Sequence, residues 1–276
     1  MRLFRLLNPK LLPHSSTPNT DLELILLEIL PGKNRAFLYS HPEYQLNDAE
    51  KQNWLSLFKQ RRNGVPIAYI LKRRGFWQHD FKVTPATLIP RSETELLIEL
   101  ALKLALPKKA MVADLGTGSG IIALSLAAER PTWQIIAVDH SAAALSVAAQ
   151  NAQLLQIKNV EFREGSWCNA LLPLKFDLIV SNPPYLAALD PHLQKGDLRF
   201  EPQAALVSGP TGLEDLSTIV SAAPHYLKPG GFLLLEHGYN QQKAVCELLK
   251  ATTKFIQITT YQDLAGIPRA VCAQLK

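Results

Sequence analysis

The chain has 276 residues, 47% of them hydrophobic and 19% charged, the balance of a globular protein with one large domain or a medium domain and a small companion. Its three cysteines (Cys168, Cys246 and Cys272) lie far apart and its seven histidines are scattered, which argues against a disulfide framework, a zinc cage or any metal centre and for a reducing cytoplasm. The net charge of +5 sits in the first quarter: residues 1–75 carry twelve Lys/Arg against six Asp/Glu, and the remainder seventeen against eighteen. A basic module on a near-neutral body suggests a partner with a negative surface, or simply a solvated helical face. The opening Met1–Pro9 is too short an apolar run for a signal peptide, and Leu96–Leu106, carrying Glu99 and Lys103, is too short to span a bilayer.

Pro9, Pro13 and Pro18 argue against a continuous helix over residues 1–19. Thr20-Asp-Leu-Glu23 has capping-box spacing and predicts a helix over 22–30, stopped by Pro31-Gly32. Asn47-Asp-Ala-Glu50 repeats that signal, with Trp54, Leu57 and Phe58 on one face and Gly64 as the C-terminal cap. Such a module buries little surface alone and should lean on the rest of the chain. Over residues 64–83, aromatic and β-branched residues between turn formers predict a hairpin. Ser92 and Glu95 predict a further capping box, opening a helix that runs to Pro107.

From Ala110 the pattern alternates in the way that builds a parallel sheet. Strands are expected at 111–115, 134–139, 160–163, 176–181 and 231–236, helices at 120–129, 142–155, 213–223 and 241–252, and closing strands at 256–261 and 270–275. The first of these strands ends in Asp114-Leu-Gly116-Thr117-Gly118-Ser119-Gly120, a turn whose glycines let a ligand approach the backbone. The second ends in Asp139, where a carboxylate can accept both hydroxyls of a ribose or, alternatively, cap the next helix. Together they predict a nucleoside site. A nicotinamide cofactor would set a pyrophosphate on the helix that follows the turn. The form of this turn, with an acid just ahead of it, instead resembles that of the class I methyltransferases, which bind S-adenosylmethionine. That resemblance implies an adenine contact for Trp167, the alternative being simple edge packing.

The apolar strand Phe176–Ser181 stops at Asn182-Pro183-Pro184-Tyr185. Prolines cannot extend a central strand, so the strand delivers a stiff polar loop to the sheet edge where ligands bind. The loop resembles the motif of enzymes that methylate planar nitrogens. An amide nitrogen is a poor nucleophile because its lone pair is delocalised. Two fixed acceptors on its N–H bonds, the Asn182 side-chain oxygen and the Pro183 carbonyl, favour a pyramidal nitrogen aimed at the methyl group. Tyr185 offers a flat face to the substrate.

Further motifs occur in order: Gly64-Val-Pro-Ile-Ala-Tyr-Ile70, Gly75-Phe-Trp77, Ile89-Pro-Arg-Ser-Glu-Thr-Glu95, Phe200-Glu-Pro202, Leu235-Glu-His-Gly238 and Asp263-Leu-Ala-Gly266. With these the chain resembles the PrmC/HemK family of protein-(glutamine-N5) methyltransferases over roughly residues 20–270. The resemblance implies an α/β, Rossmann-like class I S-adenosylmethionine-dependent methyltransferase domain at 91–276. Ahead of it are expected a helical substrate-docking domain at 1–75 and a β-hairpin linker at 76–90. It implies methylation of the Gly-Gly-Gln glutamine of class I peptide-chain release factors by a cytoplasmic monomer that forms no stable nucleic-acid complex. Gly116, Thr117, Gly118, Ser119, Gly120, Asp139, Trp167 and Asn182 would bind the cofactor. Asn182, Pro183, Pro184 and Tyr185 would hold the substrate, with Asn182, Pro183 and Tyr185 catalytic. The proline-bearing residues 1–19 depart from the first helix that the family leads one to expect. The rival readings are a nucleic-acid amino-methyltransferase, favoured by the basic N-terminal module, and a non-catalytic adaptor of the translation machinery. A dehydrogenase is more distant.

Overall fold

The computed structural model describes all residues, Met1–Lys276, and the chain divides into two units: Met1–Arg73 with Pro191–Phe200, and Arg74–Asp190 with Glu201–Lys276. The first unit is helical: α1 (Leu3–Leu6), α2 (Pro18–Ile29), α3 (Arg35–Ser40), α4 (Asp48–Arg62) and α5 (Ile67–Leu71). Leu22, Ile25, Leu26 and Ile29 of α2 and Trp54 of α4 form a buried cluster with Leu3, Leu6 and Leu38. Each such side chain contributes roughly 1.5–3 kcal/mol on burial. The capping box of α4 forms as its sequence predicts, Asn47 and Glu50 each bonding the other's backbone N–H. The box expected at Thr20 does not. Instead α2 starts at Pro18, four residues before the expected 22, and the missing N–H of that proline costs nothing in a first turn.

That shift frees Asp21 and Glu23 for other partners. Glu23 takes Arg35 and Tyr39. Asp21, 1% exposed, accepts from Arg61 Nε at 2.6 Å and from Ser15 Oγ at 2.6 Å. Arg61 also donates to the Gly64 and Val65 carbonyls and to Asp197. Here the structure corrects the expected domain boundaries: residues 191–200 belong with the first unit, because Arg61 holds Asp197 and Arg199 and Phe200 lie against Gly64. Arg61→Leu leaves the Asp21 carboxylate buried and unpaired, which costs roughly 3–5 kcal/mol. Denaturant unfolding should show that loss, and an unchanged midpoint would remove Arg61 as the staple of this unit.

Residues 64–71 also differ from expectation: Ile67–Leu71 is a short helix, and the hairpin comes after it, as β1 (Arg73–Phe76) and β2 (His79–Lys82). Pro66 gives the helix its first turn, and Lys72 in the left-handed region ends it (φ 58°). The second unit continues with α6 (Glu95–Lys103), β3 (Met111–Leu115), α7 (Ile121–Glu129), β4 (Gln134–Asp139), α8 (Ala142–Leu154), β5 (Val160–Glu164) and β6 (Phe176–Ser181). It closes with α9 (Glu214–Ala222), β7 (Leu227–Glu236), α10 (Gln242–Ala251), β8 (Phe255–Gln262) and β9 (Pro268–Leu275). The box expected at Ser92 is replaced by a 3-10 turn, Ser92–Thr94, because the Glu95 carboxylate accepts the Trp77 N–H instead. That helix ends at Lys103, short of Pro107.

The strands form one sheet in the order β5-β4-β3-β6-β7-β9-β8, parallel from β5 to β7, with β9 and β8 antiparallel. Alternate residues feed two cores: Val112, Ile135 and Val180 one, Ala113, Ile136 and Ile179 the other. Every residue of β6 is buried, which is why Leu178–Val180 reads as a continuous apolar stretch without alternation. Its one acid, Asp177, is matched by the Met111 N–H and Lys228 Nζ, both at 2.7 Å. The chain runs outward from β3 to β4 and β5 and then returns to β6 on the other side of β3. The switch point therefore lies between the carboxyl ends of β3 and β6, where open α/β sheets bind ligands. No helix is long and apolar enough to cross a membrane.

Candidate active site

Three loops meet at that edge. Leu115 pairs with Ser181 in register, and Ser181 Oγ donates to the Leu115 carbonyl at 2.7 Å, so the glycine turn and the Asn182 loop start side by side. The turn is pinned by Gly116 and Thr117, whose N–H groups donate to the Val138 carbonyl at 2.8 and 2.9 Å. Gly116 (φ 72°) disfavours any side chain, since a Cβ there would come within 3.1 Å of the Trp167 ring and press on it. Gly120 (φ 86°) packs so closely that a Cβ would lie 2.9 Å from Leu124 Cδ1. Left-handed angles and crowding together make these two positions glycine.

Carboxylates brace the turn on both sides. Asp114 is fully buried and accepts Thr117 Oγ1–H at 2.6 Å and Ala123 N–H at 3.1 Å. Burial pushes its pKa up to about 7 despite those two bonds. Asp139 Oδ2 accepts Gly118 N–H and Oδ1 accepts Ser141 N–H, both at 2.9 Å. Ser141, not Asp139, caps α8, through Ala144 N–H. Asn151, fully buried on α8, donates to the Ser119 carbonyl at 2.8 Å and exchanges bonds with the backbone of Lys82, tying hairpin and turn together.

A cleft with lobes of about 140 and 170 Å³ opens above the turn. The lobes share Gly116, Asp139, His140, Trp167, Pro184 and Ala204, and together reach the lower end of ligand-cleft sizes, roughly 300 Å³. Asn182 lines the smaller lobe, and a Cβ at Gly118 would meet no atom within 4 Å. Trp167 takes a left-handed backbone angle (φ 47°), and its indole N–H donates to Asp215 at 3.1 Å, which holds the ring over Gly116. Glu201, 5% exposed, pairs with Arg91 and accepts Ile89 N–H at 3.0 Å, joining the chain behind Leu88 to that before Pro202, two walls of the cleft.

Of the residues singled out from the sequence, Gly116, Gly118, Asp139, Trp167, Asn182 and Pro184 face the cleft. Thr117 and Ser119 are buried and support the turn from behind, Gly120 starts α7, and Pro183 is buried. Tyr185 turns its hydroxyl toward Glu236 Oε1 at 3.4 Å, and its carbonyl accepts Gln241 Nε2–H at 2.9 Å. Burial beside the Glu236 carboxylate raises the Tyr185 pKa, so its hydroxyl keeps its proton. Asn182 Nδ2 donates to Thr94 Oγ1 at 3.0 Å, and its Oδ1 receives no protein donor. Thr94, Glu236, Gln241 and Asn151 had no assigned role. The first two sit inside motifs quoted above, but nothing in a linear motif shows that residues 142 positions apart touch.

A sheet of this order with a glycine turn, an acid ending the neighbouring strand and a polar loop at the switch point is the fold of a class I methyltransferase. Solved structures share it: a ribosomal protein L11 methylase from Lactobacillus delbrueckii has a TM-score of 0.52 at 24% identity, over 70% of this chain and 84% of that one. A methyltransferase from Pyrococcus furiosus has 0.53 at 16%, over 71% and 88%. A family model of the methyltransferase small domain matches residues 92–198, and one of the PrmC N-terminal domain matches residues 10–71.

Curated relatives narrow the class. The chain is 51% identical over 250 residues to the release factor glutamine methyltransferase of Xylella fastidiosa, covering 90% of each chain. It is 47% identical to that of Coxiella burnetii over 94% of this chain and 93% of that one, and 47% identical to that of Pseudomonas aeruginosa over 98% and 97%. The chain belongs to the release factor glutamine methyltransferase family.

Proposed function

We propose that this protein transfers a methyl group from S-adenosylmethionine to the side-chain amide nitrogen of the Gly-Gly-Gln glutamine of class I peptide-chain release factors. The observation that carries the reading is that one cleft is lined by Gly116, Gly118 and Asp139 and also by Asn182 and Pro184. A donor site and an acceptor clamp thus share a single space.

The donor set fits S-adenosylmethionine. Each Asp139 oxygen accepts one backbone N–H and has a further lone pair, which suits the two hydroxyls of a ribose. The open face of Gly118 admits a ligand against the backbone, and Trp167 offers a flat wall for adenine. When bound, S-adenosylmethionine supplies a methyl group on a sulfonium sulfur, which leaves as a neutral thioether.

The remaining work belongs to the chain. Asn182 Oδ1 and the Pro183 carbonyl receive no protein donor and serve as acceptors for the two N–H bonds of the glutamine amide. Holding both N–H bonds bends the nitrogen out of its plane and frees its lone pair along the third direction. As the N–C bond forms, positive charge develops on nitrogen, and two fixed dipoles stabilise it. One of the held protons then leaves; neither oxygen is basic enough to keep it, so it passes to water. Most of the acceleration comes from position and orientation. The helical unit, with its excess of Lys and Arg, docks the release factor. The protein works in the cytoplasm as a monomer and forms no stable complex with nucleic acid.

The test is incubation with labelled S-adenosylmethionine and, separately, release factor, tRNA, rRNA and DNA. Label is expected on the release factor alone and lost when its Gly-Gly-Gln glutamine is changed to alanine. Label on a nucleic acid instead would overturn the reading in favour of an amino-methyltransferase of bases.

A further inference from the structure

Behind the Asn182 loop lies a chain of hydrogen bonds that ends on a buried carboxylate. Thr94 is fully buried and Glu236 is 2% exposed. Thr94 Oγ1 donates to Glu236 Oε2 at 2.8 Å and accepts Asn182 Nδ2–H at 3.0 Å. Tyr185 donates a longer bond, 3.4 Å, to the other oxygen of the same carboxylate.

The direction of this chain follows from counting protons. An ionised carboxylate only accepts, and a hydroxyl has one hydrogen. Thr94 must therefore give its hydrogen to Glu236 and can offer Asn182 only a lone pair. The Asn182 amide must then turn its NH₂ toward Thr94, which leaves Oδ1 as the end available to the cleft. Without Thr94, the two ends of a side-chain amide are nearly equal in size and little else decides between them. The wrong end would place two donors where the substrate nitrogen needs an acceptor.

We propose that Thr94 and Glu236 are positioning residues that fix which end of the Asn182 amide faces the substrate. The proposal rests on the reading of Asn182 as the acceptor for the substrate N–H. It has a titratable origin, since burial pushes Glu236 up to about 7 against the opposing effects of the Thr94 bond, Arg269 and the Tyr185 bond; Glu93 pushes the same way as burial. A protonated Glu236 carries its own hydrogen, can donate to Thr94, and lets the hydroxyl reverse. Turnover should accordingly fall as pH drops through about 7, where the ionised form is lost.

The experiment compares Thr94→Val, Thr94→Ser, Asn182→Ala and the Thr94→Val/Asn182→Ala double variant. The readouts are kcat and KM on whole release factor, S-adenosylmethionine affinity by calorimetry, thermal unfolding and a kcat–pH profile. Thr94→Val should lower kcat roughly 10- to 100-fold, the scale of a small misplacement at a reacting centre, with donor affinity within about threefold. Thr94→Ser, which keeps the hydroxyl, should restore most of the loss and reports on the proposal even if the valine variant folds poorly. The double variant should be no slower than Asn182→Ala, and the acid limb of the pH profile should be present in the serine variant and absent in the valine variant. Wild-type kcat in Thr94→Val, alongside an inactive Asn182→Ala, would overturn the relay and leave the role of Asn182 standing; so would losses that multiply in the double variant. Full turnover in Asn182→Ala would instead overturn the reading of Asn182, and the relay with it.

Discussion

Asn182→Ala is expected to abolish methyl transfer, lowering kcat on release factor by roughly 10³-fold or more while S-adenosylmethionine affinity stays within a fewfold. Two effects combine. The substrate amide loses one of the two acceptors that hold its nitrogen pyramidal, and loss of a fixed dipole at a developing charge costs roughly 10²–10³-fold by itself. With a single acceptor left the nitrogen also turns about that bond, so the orientation of its lone pair is lost. Donor affinity should survive because the glycine turn is held from elsewhere: by the Val138 carbonyl, by Asp114 through Thr117, and by Asn151 through the Ser119 carbonyl. The Thr94 hydroxyl left behind keeps its bond to Glu236, so the fold should tolerate the change. Single-turnover rates at saturating donor check this directly. Preserved turnover would leave Pro183 and Tyr185 as the clamp and remove Asn182 from the chemistry.

Asp139→Ala acts on the other half of the reaction. Its carboxylate is the only charged group of the cleft that fastens the turn, through Gly118 N–H and Ser141 N–H, and it also lines the cleft. A hydrogen bond to a charged acceptor contributes roughly 1.5–3 kcal/mol. Loss of the ribose contacts should weaken S-adenosylmethionine roughly 10- to 100-fold or more, at 1.4 kcal/mol per tenfold. Asp139→Asn keeps one acceptor oxygen and should fall between. Calorimetry separates this from the Asn182 effect: Asp139→Ala raises the donor dissociation constant and the donor KM, and saturating donor recovers much of its kcat. An unchanged dissociation constant would reduce Asp139 to a fastener of the turn.

The legible parts of the chain are those whose cause is local. Strands β3, β4 and β6 read to the residue because each is a short apolar run ended by glycine, acid or proline, and the five parallel strands with their helices follow from alternation. Asn47 and Glu50 were readable because a capping box closes within four residues. The same spacing failed at Thr20 and at Ser92, and the reason is the same in both cases. Glu23, the acid of the expected box, is taken by Arg35 and Tyr39, and Glu95 takes the N–H of Trp77. A distant partner outcompeted the local cap. Residues 64–71 misled through their β-branched and aromatic content, and Pro66 followed by packing made them a helix instead.

By itself the sequence determined that this is a parallel α/β protein with a glycine turn for a nucleoside and a stiff Asn-Pro-Pro-Tyr loop at the end of a buried strand. Those features depend on backbone freedom, side-chain alternation and missing N–H groups, all properties of neighbouring residues. Only the tertiary structure decided which residues share the cleft, that residues 191–200 belong with the helical unit, and that Thr94 and Glu236 stand behind Asn182. These are pairings between residues far apart in the chain. Each is set by which buried donor meets which buried acceptor once the sheet has closed, and no local pattern encodes that.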